Sequence, residues 1–419
     1  MTAIPLASHQ KVQRRTLGVL SLVQIVSGVG IAVVLALSSL MVYELSGSEA
    51  ISGLAGTATV LGTALMALPA ARAADGGGRR AGLSLAYGAA LLGCVAAVAS
   101  MELGSWPLLL LSLVFIGAGS AGNLSARYAA TDLAPPGRTA RHLSLVVWAA
   151  TIGSVAGPNL AHPADLLGMD WGLAHSAGPF ALAAAAFAVS LVVINAGLRP
   201  DPLLLARQAR EVTVARRRQP LREAVETVKA TPAARTGLLT IAAGHTAMVS
   251  VMSMTPVHLD HGHADISVIG MVLSLHIAGM FMFSPLVGWA ADRLGRGVVA
   301  ATGMGVLVAA GLLAALGGHD VPVITAGLIL LGLGWSCSLV AGSAMLTEAV
   351  DLERRPAVQG LSDLTMNVCG AAGALLAGAI VGTISYPALG LITAALTGLT
   401  GVVIWRRRTP APAARPSEA

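Results

Sequence analysis

Runs of about 20 mostly apolar residues recur along the whole chain, each long enough to cross the ~30 Å hydrocarbon core of a bilayer as a helix. The first begins near Thr16 and the last ends near Trp405. A chain passing through hydrocarbon must satisfy its own backbone N–H and C=O groups, so runs of this kind predict a bundle of helices. Composition agrees, because 11% charged residues against 55% hydrophobic in 419 residues cannot cover a water-facing surface of that size. Counting runs between polar loops predicts twelve spans, near 16–43, 50–72, 81–101, 105–128, 141–161, 177–198, 236–257, 266–290, 297–317, 321–346, 358–382 and 386–405. The first run lacks a small-residue cleavage site and is read as a retained span.

The net charge of +6 is distributed by side and does not suggest nucleic acid. Lys and Arg occupy the N-terminal tail, the turns at 72–80, 127–141, 293–296 and 354–355, the stretch 199–235 and the C-terminal tail. The intervening loops at 44–49, 99–106, 161–178, 258–265, 317–322 and 385–387 carry none, so all 26 basic residues fall on one side. The positive-inside rule makes that side cytoplasmic, with both termini inside a plasma (inner) membrane. Cys94, Cys337 and Cys369 stand singly in separate spans and are read as small buried hydrophobes rather than ligands or a disulfide framework.

The chain repeats itself. Asp75, Gly78 and Arg79 in the turn after the second span return as Asp292, Gly295 and Arg296 after the eighth, and Asp132-Leu133 return as Asp351-Leu352 after the fourth and tenth. Five units follow: a tail (1–15), a six-helix half (16–198), a linker (199–235), a second half (236–406) and a tail (407–419). The linker is expected to be basic, part helical and solvated against anionic headgroups. Duplicated six-span halves are typical of secondary transporters, whose substrate site lies near the midplane between halves.

Gly288-x-x-x-Asp292-Arg293-x-Gly295-Arg296, with its degenerate copy at Asp75–Arg80, resembles the loop signature of the major facilitator superfamily. The resemblance covers residues 10–408 and implies the twelve-helix major facilitator fold, a cytoplasmic gate latched by these turns, and alternating access. In the fifth span, Gly153-x-x-x-Gly157-Pro158 resembles the motif of drug–proton antiporters, although glycines spaced by four also serve close helix packing.

A set of soft ligands is drawn out by helical spacing. His245, Met248 and Met252 share one face of the seventh span, and His276 and Met280 stand one turn apart in the eighth. At ~1.5 Å per residue, Met248 and His276 both come near mid-membrane. His258, His261 and His263 crowd the outer loop between these spans and form either a metal-collecting tract or a polar turn. Neutral thioether and imidazole ligands suit Cu(I). The pair Met248-x-x-x-Met252 and His276-x-x-x-Met280 also resembles the copper importers associated with cytochrome-oxidase assembly, which implies copper as cargo and these four residues as its ligands.

Asp363 and Asn367, one turn apart near the inner end of the eleventh span, are read either as a coupling site for a proton or as a structural patch in which Asp363 pairs with Arg354 or Arg355. Asn123, Arg127, Tyr128 and Asp132 are assigned to the gate between halves. The sequence contains no phosphate loop or nucleophile–base grouping, so a carrier rather than an enzyme is expected. It needs no prosthetic group, works as a monomer in the lipid bilayer and moves a small solute or metal ion. Copper uptake leads, proton-coupled efflux of a small organic compound is the alternative, and a membrane sensor or assembly factor is a third class.

Overall fold

A computed structural model describes residues 6–209 and 221–407. The outer parts of the expected tails (1–5 and 408–419) and the middle of the linker (210–220) lie outside the described residues. The first half contains α1 (Leu6–Ser46), the short α2 (Glu49–Ser52), α3 (Leu54–Leu103), α4 (Trp106–Ala129), α5 (Thr139–Asp170) and α6 (Gly178–Gly197). The linker carries α7 (Pro202–Ala209) and α8 (Leu221–Ala230). The second half contains α9 (Pro232–His261), α10 (Ile266–Phe281), α11 (Ser284–Leu294), α12 (Arg296–Leu316), α13 (Val321–Glu348), α14 (Arg355–Thr383) and α15 (Tyr386–Arg407).

Among the described residues, eleven stretches are long and apolar enough to cross a membrane, and one of them is two spans. Gly62 and Gly93 of α3 both lie against the same short stretch of α4, near Val114 and near Ser112–Ile116. In one straight helix those glycines would be roughly 46 Å apart. The chain instead turns back at Gly78, whose φ of 82° and ψ of 175° leave the helical region in a conformation a side chain would resist. Twelve crossings result, as the hydropathy predicts.

The eighth crossing is broken into α10 and α11. Pro285 has no N–H for the Phe281 carbonyl, and the Ser284 hydroxyl donates to that oxygen instead at 2.6 Å.

Helix pairing repeats between the halves. α1 packs on α5 and α6 as α9 packs on α14 and α15, and α3 packs on α4 and α6 as α12 packs on α13 and α15. One apolar cluster fills the first half around Leu20, Tyr87 and Phe187, and another fills the second half around Met248, Val272 and Trp335 and takes in Ala140, Leu143 and Val147 of α5. Between halves, α3 meets α14, and α5 meets α10 and α11.

The described parts of the linker differ from the solvated segment expected. Leu203 and Ala206 of α7 are buried with Leu352, and Ala224 and Val228 of α8 pack with Leu346 and Val358. In α8 the buried residues fall at i, i+3 and i+4 (Ala224, Thr227, Val228), one face of an amphipathic helix. Arg207 donates to the Asp75 carboxylate at 2.6 Å and to the Glu353 carbonyl at 3.3 Å, so the linker straps both halves.

Contact between α3 and α4 depends on two glycines. A Cβ at Gly62 would overlap the Val114 carbonyl oxygen, and one at Gly117 would overlap the Thr59 carbonyl oxygen, where Thr63 donates to Gly117 O at 2.9 Å. Overpacking of a fitted interior costs ~1–3 kcal/mol. Gly62→Ala and Gly117→Ala are each expected to lower unfolding free energy in detergent by about that much. Unchanged denaturation midpoints would contradict the packing described.

Candidate substrate path and gate

The hydrogen bonds and ion pairs joining the halves cluster at the end that carries the basic turns. Asp292, at the end of α11, accepts from the Ala140 and Arg141 N–H groups at 3.1 and 2.9 Å. Those N–H groups open α5 and have no partner within it, and the positive end of the helix favours the carboxylate. Arg296 steadies Asp292 at 3.0 Å and reaches Glu348 at 2.7 Å. A side chain at Gly288 would overlap the Ser144 hydroxyl of α5, so the residue type permits the approach. Arg293 lies outside this latch, over the Trp289 ring at 5.6 Å. Gly295 takes a φ of 101° in the turn.

The copy in the first half has the same residues in different partnerships. Arg79 grips Asp132 with two bonds of 2.7 and 2.9 Å and also donates to Gln359 of the other half at 2.7 Å. Asp75 pairs with Arg207, and the capping role that Asp292 plays falls here to Asp201 of the linker, which accepts from the Arg80 N–H at 2.8 Å. One turn deeper, Arg127 pairs with Asp363 at 2.7 Å across the halves and donates to Ser343 at 3.2 Å. The partner of Asp363 is therefore Arg127, not Arg354 or Arg355, which donate to Thr227 and to the Val350 carbonyl. Asn367 donates to the Asp363 main-chain carbonyl. Asn123 stands apart from the gate, accepting from Ser27 and Tyr87 inside the first half, both at 2.7 Å. At the basic face the two halves are therefore in direct contact.

The histidines near mid-membrane differ in which ring nitrogen is engaged. Trp335 donates to His245 Nδ1 at 3.0 Å. That nitrogen carries no proton, so neutral His245 presents an N–H at Nε2, beside Gly370, and not a lone pair. His276 is the reverse case. Its Nδ1 lies 2.8 Å from the Leu328 carbonyl, which can only accept, so Nδ1 carries the proton. Nε2 is left as a bare lone pair, fully buried and without a hydrogen-bond partner. A buried nitrogen without a partner is costly, and an imidazole whose other nitrogen donates to a carbonyl is the arrangement metal-binding histidines adopt. Met280 follows one turn on, and Met248 is buried in the same apolar cluster, with Met252 packed against it. Met254 packs there too, whereas Met282 is half exposed. Among the described residues, no three His, Cys, Asp or Glu side chains gather as a metal cage.

At the end away from the basic turns the expected histidine tract divides. His258 is stacked between His319 and Tyr386, with ring centroids at 4.5 and 4.0 Å, and its Nε2 meets the Gly318 carbonyl at 2.6 Å. It holds α9 to the α12–α13 turn and α15, a role invisible in sequence because its partners are distant. His261 and His263 remain exposed. In α5, Gly153 and Gly157 lie against the backbone of α1 at Ile25 and Val29, and Pro158 stands inside the helix.

A family model described as the Major Facilitator Superfamily matches residues 20–265 and 259–419. The chain is 36% identical over 401 residues to an uncharacterised MFS-type transporter, YdeG, of Bacillus subtilis (strain 168), covering 95% of this chain and 93% of that one. It is 28% identical over 414 residues to the riboflavin transporter RfnT of Brucella anthropi, covering 96% and 98%. Among solved structures, the human organic anion transporter MFSD10 (TETRAN) superposes with a TM-score of 0.73 at 17% identity, over 94% of this chain and 99% of that one, a likeness of fold. Repeated halves, the latch and these matches together identify a multi-pass membrane carrier rather than an enzyme: the chain belongs to the major facilitator superfamily.

Proposed function

We propose that this secondary transporter takes up Cu(I) through Met252, Met248, His276 and Met280. The basic face is cytoplasmic in this reading, the halves 16–198 and 236–406 move as two bodies, and a monomer in the inner membrane suffices. The single observation that carries it is His276 Nε2, a buried lone pair fixed in the ligand tautomer by the Leu328 carbonyl. Thioethers at Met248 and Met280 add soft, neutral donors that select Cu(I) over Zn²⁺ without building a deep electrostatic trap. His261 and His263 remain available to collect the ion outside, whereas His258 is committed to its stack. The efflux alternative keeps its motif at Gly153, Gly157 and Pro158, whose glycines pack against α1.

A second reading is uptake of an aromatic organic solute. The relative named as a riboflavin transporter supports it, as does the aromatic cluster in which Phe281 meets Trp335 edge-on at 5.7 Å beside His245. Cellular accumulation separates the two. Met248→Leu combined with His276→Asn is expected to reduce protein-dependent copper accumulation to the level of cells lacking the carrier. Unchanged accumulation sinks the copper reading, and riboflavin accumulation without copper accumulation establishes the second.

A further inference from the structure

We propose that α7 of the linker is a clasp: docked on the first half, it seats Leu352 of the second and so holds the two halves together at the basic face. The clasp is independent of the cargo.

The repeated Asp-Leu turns bring one leucine from each half to the same place. Leu133 follows α4 and Leu352 precedes α14. Leu352 is 3% exposed and shares an apolar cluster with Leu203 and Ala206 of α7, against which Leu133 packs. This cluster is separate from the apolar interiors of the two halves.

The helix that supplies the seat is fixed to the first half at both ends. One Asp201 carboxylate oxygen accepts from the Leu203 and Leu204 N–H groups at 3.0 and 3.3 Å, capping α7. The other oxygen accepts from the Arg80 N–H at 2.8 Å, where the third crossing begins after Gly78. A single carboxylate thus orders two helix starts, and a Cβ at Gly78 would strike it. At the far end of α7, Arg207 donates to the Asp75 main-chain carbonyl at 2.7 Å and to its carboxylate at 2.6 Å.

The hold on the second half is different in kind. Among the described residues, α7 gives that half one hydrogen bond, from Arg207 to the Glu353 carbonyl at 3.3 Å, and otherwise the apolar seat around Leu352. The linker's other helix, α8, packs on Leu346 and Val358 of the second half, so the two linker helices belong to opposite halves. Alternating access parts those halves. With α7 tied down by Asp201 and Arg207, Leu352 is the group drawn out into water, and exposing a buried leucine is unfavourable. The seat therefore opposes parting without any charge of its own.

The test uses the full-length protein in lipid nanodiscs, with Cys94→Ala, Cys337→Ala and Cys369→Ala removing the native thiols. Ser362→Cys, buried where the halves meet, is labelled by a water-soluble thiol reagent at a rate that follows the parted population. Leu352→Ser and Leu203→Ala are each expected to speed that labelling by about tenfold. Leu352→Met nearly conserves volume and is expected to label as the parent does. Because the two leucines serve one contact, Leu203→Ala combined with Leu352→Ser should fall well short of the product of the single effects. Ala341→Cys, fully buried inside the second half, reports loss of the fold and should keep its rate in every variant. Should Leu352→Ser not fold, Leu203→Ala decides alone. An unchanged Ser362→Cys rate in either single variant overturns the proposal. So do effects that multiply in the double variant, or Ala341→Cys labelling that accelerates alongside Ser362→Cys.

Discussion

Replacing Gly288 by leucine is expected to hold the halves apart at the basic face and expose residues now sealed there. The Cβ alone would overlap the Ser144 hydroxyl and lie 2.7 Å from the Ala140 carbonyl oxygen, and neither backbone can retreat without pulling the α5 N-terminus off Asp292. Overpacking costs ~1–3 kcal/mol, and each ~1.4 kcal/mol is tenfold in an equilibrium, so the closed population should fall by about 5- to 140-fold. A cysteine at Ser362, which is fully buried in the closed gate, reports this. Its labelling by a water-soluble thiol reagent should accelerate by a similar factor in the Gly288→Leu background. An unchanged labelling rate would mean that Gly288 does not set the closure.

Removing Arg79 should do more damage than removing both members of its pair. Arg79 and Asp132 have side chains 5% and 0% exposed, and Asp132 receives both of its Arg79 bonds from one guanidinium. Breaking a buried pair by deleting one partner typically costs ~3–5 kcal/mol, because the other charge stays buried alone, whereas well-packed apolar replacements for both are often near neutral. Arg79→Ala is therefore expected to lower unfolding free energy in detergent by about 3–5 kcal/mol, and Arg79→Met with Asp132→Leu to recover most of it. Equal losses in the single and double variants would show that the pair's charge is not what stabilises this turn.

The parts of the molecule that depend on local pattern were legible in the sequence. The twelve crossings follow from hydropathy, Asp292 and Arg296 sit where the repeated turn predicts, and the amphipathic spacing of Ala224, Thr227 and Val228 was open to be read in α8 even though the linker's overall composition suggested solvent. What could not be read are pairings between distant residues. Asp363 has arginines eight and nine positions earlier, yet it bonds Arg127, 236 positions away, because the closed gate and not chain proximity decides its neighbour. Asp75 and Arg79 resemble their copies in spacing but trade partners once α7 docks and supplies Asp201. The same limit applies to the candidate ligands. Helical spacing grouped His245 with Met248, but only its Trp335 partner on α13 reveals that its Nδ1 is already spent. Conversely, His276 rises in interest because the Leu328 carbonyl, 52 positions away, fixes which nitrogen is left bare.

His276→Asn isolates that nitrogen. The asparagine amide can still donate to the Leu328 carbonyl, so packing is kept while the Nε2 lone pair is lost. The decisive measurement is Cu(I) entry into proteoliposomes, read by a chelating fluorophore trapped inside, for wild-type protein and for His276→Asn matched in thermal stability. Protein-dependent Cu(I) entry that falls to the protein-free rate in the variant is the predicted result. Equal entry in both, or protein-dependent entry of riboflavin with none of Cu(I), would contradict copper as the cargo.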